Sequence, residues 1–145
     1  MSKYIIAETW NGEGYSYSNT AEILDFQSDD DAQCYLLKRL EELDLTDDWT
    51  IETERGSIYY SDDCDTGSFQ WYKIDDADVY GVVIRCNINE VNIVDKKEYD
   101  ANFKFAWKQR DPDDEFEYES IDGVGDGVFI GAHHQDYDYQ FIRFK

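Results

Sequence analysis

The sequence predicts an α+β fold: a single domain, mainly antiparallel β-sheet, with one clear α-helix at about residues 29–43. One segment carries apolar residues at helical spacing, whereas much of the remaining chain alternates polar and apolar residues with period two. Asp-rich and Gly-containing turns separate the alternating segments, as expected for short strands with one solvated face. One helix among many short antiparallel strands is typical of the α+β class.

The predicted helix has both a start signal and an apolar face. Ser28 is a suitable N-cap, and Asp29–Asp31 place negative charge in the first turn, where the helix dipole favours it. The apolar face is formed by residues at i, i+4 and i+3 spacing, namely Ala32, Leu36, Leu40 and Leu43. We therefore expect a helix that packs this face on the sheet.

The strands are predicted from alternation and from turn residues. The first runs from Lys3 to Trp10 and ends at Asn11-Gly12, a strong hairpin signal, so Tyr15–Tyr17 is expected to return antiparallel, followed by a short apolar segment at Ala21–Phe26. Val79–Arg85 is a continuous apolar run and fits a central strand. Further strands are expected at 49–54, 69–72, 90–93, 116–121, 128–133 and 139–144, the last two as a hairpin.

Residues 95–109 fit two patterns. Asp95 and Glu98 resemble a capping box, which favours a short second helical segment near 95–102. Tyr99, Phe103 and Trp107 share a helical face, yet Phe103, Phe105 and Trp107 also alternate as in a strand. We expect a helical turn followed by a strand from residue 103.

Length and composition indicate a folded protein rather than an acidic tail. The chain has 145 residues, 34 acidic and 13 basic, with a formal net charge of -21. Twelve Tyr, eight Phe and four Trp recur along it and can supply large buried areas, which a disordered acidic segment lacks. The net charge is -9 over residues 1–50, -7 over 51–100 and -5 over 101–145. With no linker or composition break, we predict one acidic domain over 1–145.

The charge and the apolar pattern exclude several classes of partner. Direct binding to nucleic acid or to an anionic membrane is disfavoured because the protein would repel phosphate. No apolar run approaches the roughly 20 residues that span a bilayer, and the N-terminus loses its apolar character too early for a signal peptide. Cys34, Cys64 and Cys86 are odd in number and widely spaced, which is typical of reduced thiols. We expect a cytoplasmic protein.

The most informative segment is residues 111–119. Asp111, Asp113, Glu115, Glu117 and Glu119 recur at the side-chain period of a strand, about every 6.7 Å. Successive phosphates of one DNA strand are separated by on the order of 7 Å through space. A carboxylate row on this face could imitate a phosphate row, while Phe116 and Tyr118 on the other face anchor the segment in the core. The alternative is a solvated strand face whose like charges happen to align.

Further acidic and aromatic residues complete the predicted partner-binding surface. Asp136-Tyr137-Asp138-Tyr139 and Glu52/Glu54 repeat the alternation of the 111–119 row. The partner-binding residues predicted in addition to that row are Asp114, Asp75, Asp76, Asp78, Asp136, Asp138, Tyr118 and Tyr137, with Asp29–Asp31 and Asp47-Asp48 as auxiliary charge. Aromatic residues are included because Tyr and Trp are enriched at binding hot spots.

Other motifs favour turns over chemistry. Asp63–Gly67 and Asp75–Asp78 supply too few ligands in register for a calcium loop, and His133-His134 has no third ligand nearby to complete a zinc site. Gly123–Gly127 lacks the Lys and the following helix of a phosphate-binding loop, so a turn is predicted. The sequence therefore indicates no catalytic residue, no metal site and no cofactor.

Three functions remain as hypotheses. The favoured one is an acidic, non-enzymatic inhibitor that mimics the charge of nucleic acid and occupies the basic groove of a nucleic-acid-binding protein or nuclease. Plentiful Ile and Tyr with few Ala indicate an AT-rich genome and a phage anti-defence protein, of anti-restriction or anti-CRISPR type, acting in the host cytoplasm. The alternatives are an immunity protein that neutralises a basic nuclease toxin and, in another class, a metal-binding or hydrolytic module using the Asp clusters or His133/His134.

Overall fold

The computed structural model describes residues 1–12, 16–75, 78–113, 116–132 and 135–144. The chain divides into two compact units, Met1–Asp76 and Ala77–Lys145. Each unit contains one five-stranded antiparallel sheet and one α-helix, so the predicted α+β class and the antiparallel pairing are confirmed. The interpretation of 1–145 as one domain stays a prediction.

The first unit is built from long strands at one side of its sheet and short strands at the other. Its sheet has the order β2-β1-β5-β4-β3. Its elements are β1 (Ser2–Gly12), β2 (Ser16–Phe26), α1 (Asp29–Glu42), β3 (Thr50–Glu54), β4 (Ser57–Ser61) and β5 (Thr66–Lys73).

The predicted N-terminal hairpin is present and longer than expected. β1 and β2 pair antiparallel from Ser2↔Phe26 to Gly12↔Ser16, so the short return strand and the apolar segment at Ala21–Phe26 form one continuous strand. Residues 13–15, which include the predicted start of the return strand, lie outside the described part of the chain.

The helix α1 follows the prediction closely. The Ser28 hydroxyl accepts a hydrogen bond from the backbone N–H of Asp31 at 3.2 Å, which caps the helix. Ala32, Leu36 and Leu40 are buried, whereas Leu43 is the C-cap residue and is half exposed. These side chains pack with one face of the sheet in a core that also contains Tyr4, Ile6, Ile58, Tyr60, Phe69 and Trp71.

The second unit contains the segment on which the functional hypothesis depends. Its sheet has the order β7-β6-β10-β9-β8, so the predicted strand at 79–85 is an interior strand of that sheet. Two short 3-10 helices lie at Cys86–Ile88 and Gln135–Tyr137. The other elements are β6 (Gly81–Arg85), β7 (Glu90–Val94), α2 (Lys96–Gln109), β8 (Glu119–Ile121), β9 (Gly125–Ile130) and β10 (Tyr139–Phe144).

The predicted strand from residue 103 is wrong, because α2 continues unbroken to Gln109. The capping signal was correct, since the Asp95 carboxylate accepts the backbone N–H of Glu98 at 2.8 Å. Along the helix, Phe103 and Trp107 are one turn apart and stack at 6.0 Å between ring centroids. Phe105 points elsewhere and packs edge-on to Tyr137 at 5.4 Å.

The core of the second unit is rich in aromatic rings. Phe141 is fully buried on β10, with its ring centroid 5.6 Å from that of Tyr99 and 5.2 Å from that of Phe103. These contacts hold α2 against one face of the sheet. Gly123 (φ +73°) makes the turn between β8 and β9. The predicted turn over 123–127 is wrong from residue 125 onward, because β9 begins at Gly125.

Both α-helices are short, at 14 residues each. Within the described ranges, no helix has the length and apolar character needed to cross a membrane.

Candidate functional site

The chain does not extend as a strand from residue 111. The segment starts with a turn at residues 111–113, in which the Asp111 carboxylate accepts a hydrogen bond from the backbone N–H of Asp113 at 3.1 Å. The Asp111 N–H also donates to the Gly131 carbonyl at 2.9 Å, which fixes the start of the segment. The predicted strand over 111–119 is therefore wrong at the described residues 111–113 and 116–118, since β8 begins only at Glu119. Asp114 and Glu115 lie outside the described residues.

The predicted alternation is present over residues 116–119. Phe116 and Tyr118 line one groove, and Glu117 and Glu119 line another. This short segment therefore separates an aromatic surface from an acidic one. Phe116 is half-buried against the core, as predicted, whereas Tyr118 is 40% exposed.

We name the groove lined by Glu117 and Glu119 the acidic groove. Its volume is about 430 Å³, and it is lined by Glu117, Glu119, Gly127, Val128, Phe129 and Gln140. Glu119 pairs with Gly127 in the β8–β9 ladder, and a side chain at position 127 would crowd those of Ile121 and Gln140. Both Glu117 and Glu119 are exposed. The groove can therefore offer two carboxylates to a cation from outside.

We name the groove lined by Phe116 and Tyr118 the aromatic groove. Its volume is about 440 Å³, and it is lined by Asp100, Phe103, Lys104, Trp107, Phe116, Tyr118 and Val128. The ring of Trp107 is 5.4 Å from that of Phe116 and is 40% exposed. Two arginines already stack on its rings: Arg110 lies 4.0 Å from the Trp107 ring centroid, and Arg143 lies 3.9 Å from that of Tyr118.

A buried tyrosine connects the aromatic groove to the core. Tyr99 is 3% exposed, and its phenol lies near that of Tyr118. Burial, followed by the proximity of the Tyr118 phenol, raises the pKa of Tyr99 far above the ordinary value for tyrosine. Tyr99 therefore stays protonated while exposed tyrosines ionise.

We expect this raised pKa to make the protein lose stability in alkali. The unfolded chain releases the Tyr99 proton near pH 10, and the folded state does so only at higher pH. The contribution of Tyr99 to the free energy of unfolding is thus complete below about pH 10 and is lost as the pH rises further. Tyr99→Phe should flatten the dependence of the unfolding free energy on pH above about 10. A slope that is the same in both proteins would contradict this assignment.

The remaining acidic candidates occupy different environments. The Asp75 carboxylate accepts the backbone N–H of Lys3 at 2.7 Å, and this hydrogen bond holds the pKa of Asp75 below its ordinary value. Asp78 is exposed, and Asp76 lies outside the described residues. Because Asp75 and Asp78 belong to different units, we do not assign them to one site.

The second predicted alternating row, at 136–139, is not a strand before Tyr139, where β10 begins. Residues 135–137 form a 3-10 helix, so Asp136 is exposed while Asp138 is 5% exposed. The Asp138 carboxylate accepts the backbone N–H of Ala132 at 3.0 Å and stabilises the loop before β10. Tyr137 is half-buried against the core and Phe105. Of the two predicted carboxylates, that of Asp136 is exposed to solvent and that of Asp138 is buried.

The other motifs have structural explanations where the structure describes them. The Asp62 carboxylate accepts the backbone N–H groups of Cys64 and Asp65 at 2.8 and 2.6 Å, which accounts for that Asp-rich turn. His133 and His134 lie outside the described residues. In the part of the chain that is described, no three His, Cys, Asp or Glu side chains converge as metal ligands would. The three cysteines, all within the described ranges, form no disulfide.

Sequence reasoning missed most of the aromatic groove. Asp100, Phe103, Lys104 and Trp107 were not predicted as site residues, although the i, i+4 spacing of Tyr99, Phe103 and Trp107 was visible. Phe129 and Gln140 of the acidic groove were also missed, since they come together only through the pairing of β9 with β10. Comparison with protein-family models, with curated proteins and with solved structures finds no match for this chain.

Proposed function

We propose that this protein is an acidic, non-enzymatic inhibitor that occupies the basic groove of a nucleic-acid-binding protein, such as a nuclease. One observation carries the proposal: Glu117 and Glu119 line an open groove while the intervening Tyr118 and the preceding Phe116 turn to the other side. The arrangement belongs to a chain with a net charge of -21.

The spacing of the carboxylates supports mimicry of a phosphate backbone. Glu117 and Glu119 are two residues apart, and two residues of backbone span at most about 7 Å. Arginine and lysine side chains that clamp successive phosphates, on the order of 7 Å apart, would meet carboxylates at a similar separation. Charge-assisted hydrogen bonds to carboxylates then replace those to phosphates.

The charge of the whole chain supports the same class of partner. A protein with this net charge is attracted over a long range to a basic surface, which accelerates association. It repels DNA and anionic membranes for the same reason. The AT-rich residue usage supports a phage origin and action against a host defence nuclease in the cytoplasm.

Affinity capture from a bacterial host lysate tests the proposal. We expect the protein to retain basic nucleic-acid-binding proteins at about 50 mM salt and to release most of them at about 200 mM, because ion pairing to a charged surface weakens steeply with salt. Duplex DNA added as a competitor should also release them. The released fraction should contain a nuclease activity that the pure protein inhibits.

Two results would contradict the proposal. One is the recovery of mainly acidic or membrane proteins. The other is a captured partner whose affinity is the same at both salt concentrations and in the presence of DNA.

A further inference from the structure

We propose that the aromatic groove is a binding site for a small aromatic anion, such as an aromatic carboxylic acid. This site lies on the other side of residues 116–119 from the acidic groove, so it goes beyond the proposed inhibitor function and does not depend on it. Three features of the groove point to this class of ligand: its apolar wall, its size and the cations around it.

The wall of the groove is built mainly from aromatic rings. Phe103 and Trp107 stack at 6.0 Å between ring centroids, and the Phe116 ring is tilted by 55° at 5.4 Å from that of Trp107. Val128 of β9 adds an aliphatic surface. Trp107 remains 40% exposed beside the guanidinium of Arg110, so an incoming ring can bury this surface in the tilted or offset geometry that aromatic pairs prefer.

The groove has room for a fused pair of rings that carries an acidic group. Its volume is about 440 Å³. An apolar cavity of about 150 Å³ is enough to hold benzene. Ligand sites that are mostly apolar with a few placed polar groups usually measure about 300–1,000 Å³, and the aromatic groove falls within that range.

The charges around the groove favour an anion, although the chain as a whole has a net charge of -21. Lys104 lines the groove, and its ammonium has no ion-pair partner in the described part of the chain. The one carboxylate among the described lining residues, that of Asp100, is paired with Lys96 at 2.7 Å. An incoming anion therefore meets an unpaired ammonium and a carboxylate whose charge is already balanced.

Two arginines place further positive charge at the groove. Arg110 lies 4.0 Å from the centroid of the Trp107 ring, and its Nη1 donates to the Trp107 carbonyl at 2.7 Å. Arg143 lies 3.9 Å from the centroid of the Tyr118 ring, and its Nη2 is 3.7 Å from a carboxylate oxygen of Asp126. A guanidinium has five N–H donors, and each of these polar contacts uses one nitrogen. The stacked guanidinium groups can therefore donate further hydrogen bonds to a carboxylate bound beside them.

Titration with naphthoate, followed through the NMR chemical shifts of the backbone amides, tests the site. At about 150 mM salt, charges more than about 8 Å apart are largely screened, so the net charge of the chain repels the ligand less. We expect shifts at Phe103, Trp107, Tyr118 and Val128. Naphthalenemethanol, which is neutral and has the same ring, should bind roughly fivefold more weakly, and the cation naphthylmethylamine more weakly still. Octanoate, which has the acid but no ring, should also bind more weakly than naphthoate.

A pair of lysine variants tests the charge without altering the rings. Lys104→Gln should weaken naphthoate binding roughly fivefold and leave naphthalenemethanol binding unchanged. Lys97→Gln is the matched control, because Lys97 is an exposed lysine of the same helix that does not line the groove. Equal losses in the two variants, equal affinities for the three naphthyl ligands, or no shifts at millimolar naphthoate would overturn the site. Shifts of the groove residues with protein concentration alone would show that a second copy covers the groove and would overturn it as well. Each of these results leaves the proposed inhibitor intact.

Discussion

Replacing Glu117 and Glu119 together with lysine is expected to abolish binding of the basic partner, with a loss of affinity of at least about 100-fold. Both carboxylates line the acidic groove and are exposed. The change removes two charge-assisted contacts and places two ammonium groups against arginines and lysines of the partner. Titration of the captured nuclease with each protein, followed through inhibition of DNA cleavage, measures the effect.

The matched control for this variant is present in the first unit. Glu52 and Glu54 also alternate on an exposed strand, β3, and their replacement by lysine changes the net charge from -21 to -17 in the same way. We expect this control to weaken binding only modestly, through the reduced long-range attraction. Equal losses in the two variants would show that the partner responds to total charge and that the acidic groove has no special role.

The local signals of the sequence predict the secondary structure well where they act within one element. The Ser28 cap and the spacing of Ala32, Leu36 and Leu40 are enough to place α1. Asn11-Gly12 likewise indicates the hairpin of β1 and β2, although both residues belong to β1 and pair with Tyr17 and Ser16 instead of forming the turn. In both cases the residues that determine the structure are neighbours along the chain.

The misassigned second helix shows where local pattern fails. Aromatic residues at 103, 105 and 107 satisfy a period of two, and those at 99, 103 and 107 satisfy a helical period. The choice depends on Phe141, a residue of β10 far along the chain, whose ring packs against Tyr99 and Phe103 on one face of α2. The sequence of the helix alone does not contain that information.

The strand pairing and the grooves are non-local in the same way. β4 (Ser57–Ser61) was not predicted, yet it pairs with both β3 and β5. The acidic groove requires β8, β9 and β10 to be neighbours, so Phe129 and Gln140 could not be assigned to it in advance. The alternation of Glu117 and Glu119 was predictable because it depends on four consecutive residues.

The largest expected effect on stability follows from Phe141→Ala, which should lower the free energy of unfolding by about 3–5 kcal/mol. Phe141 is fully buried, and its ring contacts Tyr99, Phe103 and Tyr139 at centroid distances of 5.2–5.7 Å. Truncation leaves a cavity at the point where α2 meets the sheet. Domains of this size are stable by only about 5–15 kcal/mol, so a large share of the total would be lost.

Urea denaturation checks this prediction, with Phe129→Ala as the matched control. Phe129 lies on the neighbouring strand β9 but is 40% exposed, so the same truncation should cost about 1 kcal/mol or less. Equal losses would mean that the aromatic cluster does not hold α2 in place. The Glu117/Glu119 charge reversal, which relieves repulsion within an acidic protein, should instead abolish partner binding without lowering the melting temperature.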